Sequence, residues 1–140
     1  MSSHEPITEL SERFKAAVHA KDVEAFIALY DKDVRVFDSW ERWAYQGADE
    51  WRGMAAEWFS SLGSEKVAVE FHDIQEVSEE SVACGHAFVT FKGLSADGGE
   101  LRKIDNRLTW LLRKTPEGEW KIIHEHTSAP VVAGKIILQR

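Results

Sequence analysis

Two hydrophobic periods divide the chain. Residues 7–18 place Ile7, Leu10, Phe14, Ala17 and Val18 on one helical face, with Ser3 and Pro6 as start signals. A second short helix begins at Asp22, which can cap it, and buries Val23, Phe26, Ile27 and Tyr30. Asp33 then leads into a strand in which Val34, Val36 and Asp38 alternate with Arg35 and Phe37, with Asp38 near its end. A third helix fits residues 48–62, where Trp51, Met54, Ala55, Trp58 and Leu62 recur at three and four and Gly63 sits at the C-cap. Beyond it the period switches to two. Strands are predicted over 66–77, 80–93, 100–114 and 119–128, joined by the turn sequences SEES, SADGG and TPEG. The tail VVAGKIILQR either adds a short strand or packs on a partner. No internal repeat or linker interrupts residues 1–140, so one α+β domain is expected. A curved sheet wrapping its helices leaves a cone, and such cones hold ligands.

Charge and composition narrow the partners. A formal net charge of −7 argues against nucleic acid, which needs a basic footprint. Cys84 is the only cysteine, so no internal disulfide forms and a reducing cytoplasm is the expected setting. No apolar stretch approaches membrane-spanning length, and the polar N-terminus does not read as a signal peptide.

The stretch FDSWERWAYQG, residues 37–47, concentrates aromatic surface between the first strand and the third helix. Trp40, Trp43 and Tyr45 serve there either as partial core or as the rim of a pocket. Asp38 has two readings: a strand-end carboxylate capping backbone N–H groups, or a general base or ligand contact. The HEH run at 124–126 puts two histidines on one strand face, but a metal needs a third ligand, and His86 is the only evident one. Histidines hydrogen-bonded across a dimer fit better, and no metal or other cofactor is expected. Cys84 reads as inert packing, no phosphate loop or GxSxG elbow occurs, and DGG at 97–99 is a hairpin turn.

ALYDKDVRVFD at 28–38, YQGADEW ahead of a helix, and NRLTWLLRKTPEGEWKIIHEHTSAP at 106–130 together resemble the nuclear transport factor 2-like superfamily. Within it, the likeness is to SnoaL-like domains and to the association domain of calcium/calmodulin-dependent kinase II, over roughly residues 7–130. The resemblance implies a cystatin-like cone: three N-terminal helices packed on a strongly curved mixed or antiparallel sheet. It does not fix the activity, since the superfold hosts isomerases, cyclases, dehydratases and plain binding modules. Related ketosteroid isomerases carry their general base where Asp38 falls, and an oxyanion tyrosine where Phe14 falls. Their protonated aspartate falls near Asp105 and Arg107. With the tyrosine absent, the usual steroid isomerisation is not implied; SnoaL-like cyclases, which use an acid to take a proton from an activated carbon, need less of that apparatus.

Parity divides the last two strands into two faces. Even positions give Ile104, Asn106, Leu108, Trp110 and Leu112 with Trp120, Ile122, His124, His126 and Ser128. Odd positions give Asp105, Arg107, Thr109 and Leu111 with Ile123, Glu125 and Thr127. Resemblance to the kinase association domain turns Thr127, and with it the odd set, into the cone. Trp110 and Trp120 then cover an outer face that should dimerise. The expected site is thus Phe14, Trp40, Trp43, Tyr45, Arg107, Thr109, Glu125 and Thr127 as ligand contacts, Asp38 as the candidate catalytic base, and Arg107 paired with Glu125 at the floor. The expected function is a small-molecule-binding homodimer for a small apolar or anionic molecule. The alternatives are an isomerase, cyclase or dehydratase using Asp38 on a carbonyl-activated substrate, and a pure oligomerisation unit.

Overall fold

A computed structural model describes residues 5–140. Ser3, expected to start the first helix, lies outside the described residues. Helix α1 (Pro6–Ala20) has no local side-chain cap. Its free N–H groups are met instead from the sheet: Glu76 accepts from the backbone N–H of Ile7 at 2.9 Å and of Thr8 at 3.2 Å, and from the Thr8 hydroxyl at 2.5 Å. Helix α2 (Val23–Ile27) is capped by Asp22 as its sequence indicates, the carboxylate accepting from Ala25 N–H at 3.0 Å. Helix α3 (Ala48–Ser61) ends just before Gly63, whose φ of 59° is the left-handed turn expected there.

Tyr30 does not extend α2. It opens β1 (Tyr30–Phe37), which starts earlier than the alternation of Val34 and Val36 suggests. After the two-residue β2 (Tyr45–Gln46) and α3 come β3 (Lys66–Ser78), β4 (Val82–Leu94), β5 (Glu100–Lys114) and β6 (Trp120–Ser128). The sheet order is β2-β1-β6-β5-β4-β3, antiparallel except for β1 beside β6, so the sheet is mixed. Three helices on this sheet give the expected α+β architecture. Their buried faces meet at Phe14, whose ring lies 5.4 Å from Phe26, 5.8 Å from Phe71 and 5.7 Å from Trp110. Among the described residues no helix is long and apolar enough to cross a membrane.

The tail forms a small hairpin, β7 (Val131–Val132) with β8 (Lys135–Ile136), and then runs beside β5. Asp105 N–H donates to Leu138 O at 2.6 Å, at a point on β5 beyond the last pair with β6, Arg107 with Ser128. Arg140 closes the run, its guanidinium 4.1 Å over the Phe88 ring and its N–H donating to Asp105.

One irregularity decides which residues face inward. Leu111 pairs with His124, but Leu112 pairs with Ile122, so Ile123 is an extra residue on β6. Such a bulge reverses the parity of everything beyond it. On β5 the even residues face the helices: Leu108, Trp110 and Leu112 are buried. Ile122 joins them from β6, but past the bulge the odd residues Glu125 and Thr127 turn inward, 3% and 6% exposed. His126 is exposed and His124 only partly buried.

The reading of a wholly odd inner face is therefore corrected. Arg107 and Thr109 are exposed on the outer face, where Arg107 donates from Nε to Ser128 Oγ at 3.0 Å. The expected Arg107–Glu125 pair does not form, because the bulge sends the two side chains to opposite faces. Trp110, expected outside, has no solvent exposure at all.

Candidate functional site

Between α3, the β1–α3 connection and the inner face of β5 and β6 lies a cavity of about 680 Å³. That volume is in the range of small-molecule sites. Its walls are aromatic: Phe14 and Phe26 from the first two helices, Trp51 and Trp58 from α3, Phe91 from β4 and Tyr45 from β2. Aromatic side chains recur on these elements because each must offer an apolar stripe to a core that stops short of filling the cone. The face of α3 that meets the cavity also carries Gly53, beside which an added Cβ would meet nothing within 4 Å.

Polar groups converge at one end. Glu125 is buried on β6, with the Tyr30 hydroxyl donating to its Oε1 at 2.6 Å and the Trp110 indole N–H donating to the same oxygen at 2.8 Å. No described group donates to Oε2. Burial pushes the Glu125 carboxyl up to about 7; the Tyr30 and Trp110 hydrogen bonds oppose the rise and the nearby Asp38 charge adds to it. Tyr30 is itself driven well above the usual phenol range by burial and by the Glu125 charge.

Asp38 follows the end of β1, one step beyond the pairing of Phe37 with His126. Thr127 donates from Oγ1 to Asp38 Oδ1 at 3.0 Å and accepts from Ser39 N–H at 3.0 Å. Burial raises the Asp38 carboxyl, while the Thr127 hydroxyl and the N–H groups of Ser39 and Trp40 hold it down. Asp38 thus accepts from backbone N–H groups at the chain turn, as the first of its two sequence readings has it, and it also lines the cavity. Asn106, on β5, is part of the same wall and is 6% exposed, yet its Oδ1 has no donor.

Of the expected ligand contacts, Phe14, Trp40, Tyr45, Glu125 and Thr127 line the cavity together with Asp38. Trp40, 46% exposed, stands at its mouth. Trp43 does not take part: at 98% exposure it projects from the connection. Arg107 and Thr109 lie behind the sheet. Sequence reasoning missed Tyr30, Trp110 and Asn106. Tyr30 stands at helical spacing from Phe26 and Ile27, and parity on β5, which carries the other two on even positions, does not by itself tell the inner face from the outer.

On the outer face His86 and His126 both pair with Thr109, from opposite sides. Phe37 packs edge-on against His124 and His126 at 4.8 and 5.5 Å, and His124 Nδ1 lies 2.7 Å from Arg35 O. Among the described residues no group of three side chains could hold a metal ion.

Helices and a mixed sheet enclosing a cavity of this kind define the cystatin-like, nuclear transport factor 2-like fold. The sequence pattern of the SnoaL-like domain matches residues 7–132, and the chain belongs to that family. Solved structures similar to it include a nuclear transport factor 2-like protein of unknown function from Pseudomonas putida KT2440, with a TM-score of 0.83 at 23% identity, covering 98% of this chain and 94% of that one. A candidate calcium/calmodulin-dependent protein kinase II association domain from Xanthomonas campestris matches with a TM-score of 0.74 at 17% identity, over 89% and 85% of the two chains. A cystatin-like protein from Caulobacter vibrioides matches with a TM-score of 0.70 at 18% identity, over 88% and 86%. No curated protein matches the chain.

Proposed function

We propose that this SnoaL-like domain binds a small, largely apolar molecule in the inner cavity, with the polar end of the ligand against Glu125, Asp38 and Asn106. The observation that carries the reading is a cavity of about 680 Å³ with aromatic walls and polar groups gathered at one end. Of the apolar or anionic molecule expected from sequence, the apolar alternative is favoured, since Arg107 lies on the outer face of the sheet. Fluorescence of the neutral probe phenylnaphthylamine tests the reading. Emission should rise with wild type and fall back with Ile104→Trp, which places an indole in the cavity. Equal emission with both proteins would refute it.

One observation favours a second reading, proton transfer. Two carboxylates, Asp38 and Glu125, face one cavity, and Glu125 is held near neutral pH. Asp38 would take a proton from a carbon next to a carbonyl, as in an isomerase, cyclase or dehydratase. Loss of proton exchange at such a carbon in Asp38→Asn, with the fold intact, supports that reading; unchanged exchange removes Asp38 from it.

We also propose a homodimer through the outer sheet face, now resting on Phe37, Phe88 and Leu111 with the histidines around them rather than on the tryptophans. A reducing cytoplasm remains the proposed setting, consistent with a single, exposed Cys84.

A further inference from the structure

The charges around the cavity are unbalanced in a way that names a ligand class. Asp38, Glu41, Glu50, Glu57 and Glu125 contribute to its lining, against Arg42 and Arg102. Both guanidiniums already have carboxylate partners: Arg42 lies 3.0 Å from Glu50, and Arg102 lies 2.5 Å from Glu65. No described cation pairs with Asp38, Glu41, Glu57 or Glu125. The two innermost of these, Asp38 and Glu125, are also the most shielded from water.

A second, independent feature points the same way. At the polar end Asn106 Oδ1 has no donor and no described group donates to Glu125 Oε2, while on the adjoining wall the Trp51 indole N–H is without an acceptor. A ligand that brings hydrogen-bond donors would satisfy both of these acceptors. The walls leading to it include Trp51, Trp58 and Phe91, rings whose π faces attract positive charge, and Tyr45, whose ring already has the Arg42 guanidinium 4.2 Å from its centroid. An anion would meet unpaired carboxylates.

We propose that the cavity is a site for an organic amine. The aromatic or aliphatic body lies among the tryptophans, and the ammonium sits at the polar end, where its N–H groups donate to Glu125, Asp38 and Asn106. This deepens the small-molecule reading above and rests on it. The ammonium supplies the counter-charge that the chain itself omits, and a buried carboxylate without one is costly.

The charge logic fixes a sign for pH. Glu125 faces Tyr30 from β1, Asp38 beyond the end of β1, Trp110 and Asn106 from β5, and the aromatic rings of α1 and α2. Tyr45 and Arg42 come from the segment after β1, and Glu50 and Glu57 from α3 line the same cavity farther out. Glu125, raised by burial to about 7, changes charge near neutrality. An ammonium binds the carboxylate form, so amine affinity rises as pH rises through that value. A neutral acceptor ligand binds the protonated form, and its affinity falls over the same interval.

Calorimetric titration of the full chain with phenethylamine, phenethyl alcohol and hydrocinnamate, three probes of similar size, separates the cases. The expected order at about pH 8 is amine over alcohol by about tenfold, with hydrocinnamate weakest. Amine affinity should gain about fivefold to tenfold between about pH 6 and about pH 8. Glu125→Gln should remove that gain while still binding the alcohol, which shows the variant is folded; Asp38→Asn, a second variant, should cut the amine preference. Alcohol binding as tight as amine, an amine affinity that falls with pH, or a preference unchanged in both variants overturns the amine assignment and leaves the small-molecule reading standing. Failure of all three probes to bind overturns both.

Discussion

The Tyr30 hydroxyl donates to Glu125 Oε1 at 2.6 Å, tying the first residue of β1 to the centre of β6. Trp110 donates to the same oxygen from β5. Three neighbouring strands thus hold one carboxylate by one of its oxygens and leave the other toward the cavity. The arrangement both fixes the rotamer of Glu125 and keeps its proton exchangeable near neutral pH. Tyr30→Phe removes a donor that lowers the Glu125 carboxyl, so the carboxyl should titrate higher still. Loss of a hydrogen bond to a buried charged group should also cost about 1.5–3 kcal/mol in denaturant unfolding above neutral pH.

Glu125 also sets the pH dependence of stability. Its carboxyl is raised in the fold, from an ordinary value of 4.5 to about 7, so the folded state holds the proton more tightly than the unfolded chain does. The resulting stabilisation is complete below the unfolded value and is lost as pH rises through the folded one. On the order of 3 kcal/mol should disappear between about pH 4.5 and about pH 7. Glu125→Gln keeps an oxygen for Tyr30 and Trp110 and has no charge to bury. Its unfolding free energy should lack this fall and exceed that of wild type at about pH 8. Urea melts at several pH values measure both curves; parallel curves would exclude Glu125 as the cause.

The helix that carries Phe14 depends on two contacts with the sheet. Glu76 caps α1 from β3, and removing it as Glu76→Ala should cost about 1–2 kcal/mol. Gly85 on β4 is the tighter point. A Cβ there would lie 2.9 Å from both Gln75 O and Ile7 Cγ1, so Gly85→Ala must displace β3 or α1. We expect about 1–3 kcal/mol of destabilisation in thermal or urea melts, and an unchanged melting curve would refute the close approach.

Much of this architecture is legible in the sequence. The period of three and four in Leu10, Phe14 and Ala17 gives α1, and the alternation in Leu108, Trp110 and Leu112 gives β5. Asp22, Gly63 and the turn sequences mark ends that the fold respects. The face of the sheet was harder to read, for a definite reason. Alternation says which residues share a side only while pairing is regular, and nothing in KIIHEHT announces that Ile123 is the extra residue of a bulge. One unit of slip therefore placed Glu125 correctly and Arg107 and Thr109 wrongly. Tyr30 was hidden by a different ambiguity. It stands at helical spacing from Phe26 and Ile27 and also at the head of a strand, and only the parallel pairing with Ile122 resolves the choice. Trp43 illustrates the limit of composition: an aromatic in a connection is as readily exposed as buried.

The outer face makes its own prediction. Phe37, Phe88 and Leu111 are only partly buried there, flanked by His86, His124 and His126. In light scattering at micromolar concentration the chain should behave as a dimer, and Leu111→Glu should shift it toward monomer by placing a charge in an apolar contact. A monomeric wild type would contradict this.

The most direct test of the account is the titration of the Glu125 carboxyl by carbon-13 NMR, free and saturated with phenethylamine. The account predicts a midpoint near 7 in the free protein, and a clear fall when the ammonium occupies the cavity. A midpoint in the ordinary carboxylate range, unmoved by saturating amine, would contradict both the buried setting of Glu125 and its role as a ligand contact.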